Sequence, residues 1–135
     1  MEVSTEDYLK AIFNLQQVDS GTVKTLAISE RLKISPAAVS EMLRKLSDKG
    51  LVNHAPYRGV SLTKKGVQSG RNMVRRHRIL EMYLYKVLDF PWDQLHEEAE
   101  RLEHAASDAL IDRLEEKLRF PKFDPHGSPI PERSC

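Results

Sequence analysis

A chain of 135 residues with 40% hydrophobic content can bury the core of one ordinary domain or of two small ones, and no apolar run approaches the ~18 residues of a membrane span. The N-terminus lacks the basic-then-apolar layout of a signal peptide, and the single cysteine, Cys135, ends the chain, which excludes an internal disulfide framework and a thiolate cage. Net charge is +1, yet residues 1–80 carry 14 Lys and Arg against 7 Asp and Glu while residues 81–135 carry 7 against 13, so the front half suits a polyanion and the back half suits cations. The chain reads as cytoplasmic, with no membrane partner.

The first helical pattern runs from about Ser4 to Val18, with Leu9, Ile12, Phe13 and Gln16 on one face, and Gly21 breaks it. A second pattern carries Leu26, Ala27, Glu30 and Arg31 and closes near Leu32. After the short link Lys33-Ile34-Ser35, a third helix opens with Ser35 as N-cap and Pro36 in its first turn, the arrangement helix starts favour. Val39, Leu43 and Leu46 mark its buried side, and Gly50 stops it. Residues 51–55 and 59–62 predict two short strands turned by Pro56-Tyr57-Arg58. Thr63 caps a long helix whose apolar face includes Leu80, Leu84, Val87 and Leu88 and which Pro91 ends. Another helix starts near Trp92, and a last one runs through Leu110, Ile111, Leu114 and Leu118. Four prolines in the sixteen residues from Phe120 predict an extended tail or linker.

Two short helices with a tight turn, followed by a two-stranded hairpin, make a winged helix-turn-helix, which lays the start of its second helix against base edges in the major groove of double-stranded DNA. The residues at that start are Ser35, Pro36, Ala37, Ala38, Ser40 and Glu41. Most are small, which lets the helix enter deeply. The alanines suit thymine methyl groups, and Ser40 and Glu41 suit hydrogen bonds to bases. Lys24, Arg44, Lys45 and, on the wing, Arg58 suit phosphates, which supply affinity without sequence information. Winged helices also serve as protein-interaction modules, but the basic front half favours DNA.

At about 100° per residue, His96, Glu100, Glu103 and His104 fall on one helical face. Like charges on one stripe repel by a few tenths of a kcal/mol per pair. A divalent cation reverses that sign, since imidazole and carboxylate together suit first-row transition metals. His77 and Glu81 form a second pair at i,i+4 in an earlier helix. The six residues read as a regulatory metal site. Bland alternatives stand beside this reading: Asp7 can complete a capping box with Ser4, and His77 with Glu81 can be a solvated pair. Glu97, Glu98 and Glu116 read as solvated surface, and His54 and His126 as exposed histidines.

Ser4-Thr5-Glu6-Asp7-Tyr8-Leu9, residues 75–81, residues 96–104 and Gly127-Ser128-Pro129-Ile130-Pro131 stand in an order that resembles the diphtheria-toxin-repressor family of bacterial metal-dependent repressors, in its manganese-transport-regulator branch. The resemblance covers Ser4 to about Pro131. It implies a mainly α fold, with a winged helix-turn-helix over 1–66, a helical metal-binding and dimerisation domain over 67–120 and a proline-rich tail over 121–135. It also implies a primary site of Asp7, Glu100, Glu103 and His104 and an ancillary site of His77, Glu81 and His96, which that branch can merge into one binuclear site. The implied effector is Mn2+ or Fe2+, with Zn2+ or Co2+ able to bind in vitro. The implied partners are a palindromic operator and a second copy of the chain, with no small-molecule substrate.

Two departures matter. Asp7 and Glu100 stand where the iron-responsive branch has methionine and cysteine, and Lys10 stands where the manganese regulator has a glutamate. The chain also ends where larger members continue into a third, SH3-like domain, so water is expected in place of any ligand from there. A metal-independent winged-helix regulator of a small organic ligand would share the front half but has no use for the His/Glu stripe. Enzyme readings fail on spacing: dimetal bundles need Glu-x-x-His pairs and zinc peptidases need His-Glu-x-x-His, whereas position 100 is Glu.

Overall fold

The computed structural model describes residues 4–18, 21–55 and 58–133. Its elements are α1 (Thr5–Val18), α2 (Thr25–Leu32), α3 (Pro36–Asp48), β1 (Val52–Ala55), β2 (Gly59–Leu62), α4 (Lys64–Lys86), α5 (Leu95–Glu103) and α6 (Asp108–Lys117), with a 3-10 turn at Trp92–Gln94 leading into α5. The chain divides into two compact units, 1–71 and 72–135, so the division falls inside α4 rather than at its start. No helix among the described residues is long and apolar enough to cross a membrane.

In the first unit, local chemistry starts and stops each helix. Ser4 and Asp7 begin α1 with a reciprocal cap: the Ser4 backbone N–H donates to Asp7 Oδ2 at 2.9 Å, and the Asp7 N–H donates to Ser4 Oγ at 3.2 Å. Lys33 ends α2 in the left-handed region at φ 58°, its N–H donating to the Ser29 carbonyl. Two residues later the Ser35 hydroxyl accepts from Ala38 N–H at 3.1 Å and starts α3. That compact turn brings α2 and α3 together, and Val39, Leu43 and Leu46, spaced to share one helix face, are fully buried. The antiparallel hairpin pairs Val52 with Leu62 and Ala55 with Gly59. Arg58 N–H donates to the Ala55 carbonyl at 3.1 Å, while Pro56 and Tyr57 of the expected turn lie outside the described residues.

Val23, just before α2, exchanges two backbone hydrogen bonds with Val60, at 2.7 and 2.8 Å, and so anchors the helix pair to the hairpin. Gly59 makes this approach possible: at φ +103°, a Cβ there would lie 2.5 Å from the Val23 carbonyl oxygen. Gln16, expected on the apolar face of α1, acts instead as a polar tie. Its Oε1 accepts from Leu62 N–H at 3.0 Å and its Nε2 donates to the Gly21 carbonyl at 3.1 Å.

The second unit packs α4, α5 and α6 around Ile79, Leu80, Leu84, Leu95, Ala99, Ala106 and Ile111. Here α4 stops at Lys86, short of Pro91, because Val87 and Leu88 both turn their N–H groups back to the Tyr83 carbonyl and Asp89 adopts φ 51°. Val87 and Leu88, expected on the apolar face, are consequently about half exposed, at 50% and 52%. Arg75, with a side chain only 4% exposed, ties α4 to α6 through Glu115 Oε1 at 2.8 Å and Asp112 Oδ1 at 3.3 Å.

Residues 121–133, expected as an extended tail, fold back instead. Phe123 bridges Pro129, Ile130 packs on the core, and Arg78 donates to the Pro129 carbonyl. Asp124 organises this loop: its Oδ1 accepts from His126 N–H at 2.9 Å and from Ser128 N–H at 2.8 Å. Prolines exclude a helix here, but a carboxylate that satisfies two backbone donors holds a compact turn without one.

Gly66, in the first turn of α4, lies so close to the backbone just before β1 that a Cβ would stand 2.1 Å from the Leu51 carbonyl oxygen. An alanine in an ordinary helix interior stabilises by about 1 kcal/mol relative to glycine. Gly66→Ala is expected to do the opposite, lowering the stability of the intact chain in urea titrations by about 1–3 kcal/mol through overpacking against backbone.

Candidate metal centre and DNA-facing surface

His77 and Glu81 stand one turn apart on α4, and both are buried, at 7% and 2% exposure. They face α5. His77 Nδ1 lies 2.6 Å from Glu103 Oε1, and His77 Nε2 lies 3.3 Å from Glu81 Oε1. The His96 ring meets His77 edge-on with centroids 4.7 Å apart, and His96 Nε2 lies 3.4 Å from Glu100 Oε1. His77, His96 and Glu100 thereby present three ligand atoms within 4.8 Å of one another. Glu103 is fully buried. It and His104, the C-cap residue of α5, also offer ligand atoms within 4.8 Å.

His96 and Glu100 of the helical stripe thus converge with His77 from α4, and Glu103, one turn further along, reaches the same imidazole.

Glu81 turns one oxygen to each side. Oε1 faces His77, while Oε2 is buried, accepts no hydrogen bond and lies 3.5 Å from His126 Nδ1. Glu81, Asp124 and His126 form a further group with ligand atoms within 4.8 Å, and the His126 ring packs against Trp92 at 4.7 Å. Burial pushes the Glu81 carboxyl up, but the hydrogen bond from His77 and the charges of His77, His126 and His96 outweigh it and hold the group below its ordinary value of 4.5.

The donor set fits a divalent transition metal. Imidazole nitrogens and carboxylate oxygens, with no sulfur among them, are the ligands such ions take, and a buried carboxylate oxygen without a hydrogen bond is a position that a cation satisfies. Asp124 was not singled out by the sequence reading, and His126 was set aside as exposed. The only local cue was the turn sequence Asp124-Pro125-His126-Gly127, whose nearness to Glu81 depends on the folded-back loop. Asp7, on α1 of the first unit, uses Oδ2 to accept from the Ser4 backbone at 2.9 Å and the Ser4 hydroxyl at 3.1 Å, so its capping role is present.

On the first unit, Ser35, Pro36, Ala37, Ala38, Ser40, Glu41, Arg44 and Lys45 are all exposed along α3, opposite the buried Val39, Leu43 and Leu46. The Ser35 hydroxyl is engaged in its cap. Lys45 Nζ lies 4.0 Å from Glu41 Oε1 with both side chains well exposed, a pair too weak to hold either residue against a stronger partner. Lys24, at the N-cap of α2, and Arg58, beside β2, are exposed as well.

Residues 1–60 match the family described as iron dependent repressor, N-terminal DNA binding domain, and residues 63–132 match iron dependent repressor, metal binding and dimerisation domain. An uncharacterized HTH-type transcriptional regulator of Methanocaldococcus jannaschii is 36% identical over 123 residues, covering 91% of this chain and 97% of that protein. The iron-dependent repressor IdeR of Mycobacterium tuberculosis is 36% identical over 128 residues, 95% of this chain and 55% of its own length. Among solved structures, a manganese-dependent transcriptional repressor in complex with manganese matches with a TM-score of 0.87 at 46% identity, covering 96% of this chain and 59% of that one. The chain therefore spans little more than half the length of these last two relatives.

A carboxyl held below its unfolded value stabilises the fold above that value, and the contribution is lost as pH falls through the lower, folded value. In the metal-free chain, Glu81→Gln should lower the thermal midpoint at about pH 7 and flatten its decline between about pH 5 and pH 3. Unfolding followed by circular dichroism across that range checks the sign.

Proposed function

The chain belongs to the iron-dependent repressor family, that of the diphtheria-toxin repressors and manganese-transport regulators, and from this we propose that it is a metal-activated, DNA-binding transcriptional repressor. Its effector is Mn2+, with Fe2+ the alternative, and it acts on a palindromic operator as a homodimer. The observation that supports this best is the donor set on α4 and α5, made of nitrogen and oxygen alone and with His77, Glu81 and Glu103 buried, in a chain whose first unit is a winged helix-turn-helix. A regulator of an organic ligand has no use for buried carboxylates facing imidazoles.

On DNA, α3 enters the major groove. Ala37 and Ala38 meet thymine methyl groups, Ser40 and Glu41 reach base edges, and Ser35 and Pro36 fix the start of the helix. Lys24, Arg44, Lys45 and Arg58 neutralise phosphates and set the register. Asp7, Glu100, Glu103 and His104 would hold one cation, and His77, Glu81 and His96 the other. A bound cation supplies the positive charge that turns the repulsion among these carboxylates into attraction. Donors drawn from α1 as well as α5 restrict the DNA-reading unit, as a dimer requires to present two α3 helices about 34 Å apart.

Selectivity rests on hard ligands. Affinity rises from Mn2+ through Fe2+ to later metals at almost any site, so a response to Mn2+ depends on coordination number and on oxygen donors such as Asp7 and Glu100. Zn2+ favours four-coordinate geometry and is expected to bind but activate poorly.

The test is binding of a selected duplex and of random DNA, each with Mn2+ and with chelator. His104→Ala should abolish the Mn2+-dependent part. Chelator without effect on the unaltered chain would favour the metal-independent regulator. Arg44→Ala and Lys45→Ala should weaken both duplexes and lower the salt dependence by about one unit per lost phosphate contact. Replacing Ala38 by a bulky residue should weaken the selected duplex more than random DNA.

A further inference from the structure

We propose that Glu41 sets sequence specificity by accepting a hydrogen bond from the 4-amino group of one cytosine in each half of the operator. The inference rests on the DNA-binding reading and adds to it the base that α3 selects and the bases it rejects.

At about 100° per residue, Ala37, Ala38, Ser40, Glu41, Arg44 and Lys45 span roughly 160° of α3, all exposed and opposite the buried Val39, Leu43 and Leu46. Glu41 lies near the middle of that arc. It is the one acidic residue in the first two turns of α3, the part of a reading helix that meets base edges. Residues 1–80 otherwise favour a polyanion, with 14 Lys and Arg against 7 Asp and Glu. A carboxylate at this position brings like charge to DNA and lowers affinity for every sequence. Nothing in the fold offsets that. The ion pair of Glu41 with Lys45 is 4.0 Å long between side chains 63% and 60% exposed, too solvated to contribute much. Position 41 also lies beyond the first turn of α3, where a helix dipole favours an acidic side chain.

The other residues of these turns carry little hydrogen-bond code. The Ser35 hydroxyl is taken by its cap, the alanines have no polar side-chain atom, and the Ser40 hydroxyl donates as readily as it accepts. A carboxylate only accepts. In the major groove guanine presents acceptors alone and thymine an acceptor and a methyl group, whereas adenine and cytosine each present an amino group. The adenine amine lies between two acceptors, its own N7 and O4 of the paired thymine. The cytosine amine has an acceptor on one side only, O6 of the paired guanine. A carboxylate is therefore repelled least at cytosine. Ala37 and Ala38, four and three residues back on the same face, set methyl groups beside the contact and keep water from it. That strengthens both the attraction to the right base and the repulsion from a wrong one.

The test selects duplexes from a random pool with the full chain and Mn2+, then replaces each G·C pair of the selected site symmetrically in both halves. One position should cost the unaltered chain ~10-fold or more in affinity, the scale of a lost base contact. Glu41→Ala should show no preference there, yet bind random DNA at least as tightly as the unaltered chain, because a like charge is gone. Glu41→Gln should accept adenine there, since an amide both donates to N7 and accepts from N6. Pyrimidin-2-one in place of that cytosine removes the amino group alone. It should cost the unaltered chain the same factor and Glu41→Ala nothing further. Alanine and glutamine are good helix formers, and circular dichroism confirms that both variants fold. An unchanged base preference at every position in Glu41→Ala overturns the proposal and leaves the repressor reading standing, as does coupling of Glu41 to an adenine. Failure of the unaltered chain to select any duplex removes both.

Discussion

Glu81 and Glu103 place two carboxylates almost entirely out of water, on helices that also have to bury Ile79, Leu80, Leu95 and Ala99. A carboxylate in such surroundings is costly unless it is paired and hydrogen-bonded. His77 meets that requirement for both, with one ring nitrogen on each. Much else in the second unit follows from this. Apolar packing of α4 on α5 brings the polar residues of each helix face to face, and the requirement to pair them selects imidazole against carboxylate. The same side chains that make the metal-free fold tolerable have the donor atoms that suit a divalent cation.

The C-terminal loop enters the same arrangement from the other side. It is held by Asp124, by Ile130 in the core and by Arg78 on the Pro129 carbonyl, and it carries His126 to the second oxygen of Glu81. That single carboxylate thus joins residues some forty-five positions apart in the chain. The first unit answers a different demand, that a short helix stand proud of the surface and stay rigid. Capping by Ser35, the left-handed Lys33 and the Val23–Val60 bridge fix α3 from its ends and from behind. None of them engages the exposed side chains of Ala37, Ala38 and Ser40.

How much of this was legible in the sequence differs between the units. Caps and breakers act over three or four residues, so Ser35, Pro36, Gly50 and Thr63 announced the helix ends of the first unit. Hydrophobic spacing announced the buried face of α3. The His/Glu stripe of α5 was equally visible, because helical periodicity is a local property. Where reading failed, the deciding interaction was local but weakly marked or was long-range. Nothing between Lys86 and Pro91 marks the end of α4 strongly, since Asp89 is an unusual residue for the left-handed region.

The sequence by itself determined the order of elements, a basic reader followed by an acidic helical unit, and which residues of α4 and α5 could act as ligands, because composition, capping and periodicity are all properties of neighbouring residues. Only the tertiary structure decided how those ligands are grouped. The contact of His77 with Glu103, the meeting of His77 with His96 and Glu100, and the arrival of Asp124 and His126 at Glu81 each depend on side chains far apart in the chain. They are brought together by packing of one helix face on another and by a loop that turns back, and no spacing along the chain encodes such distances.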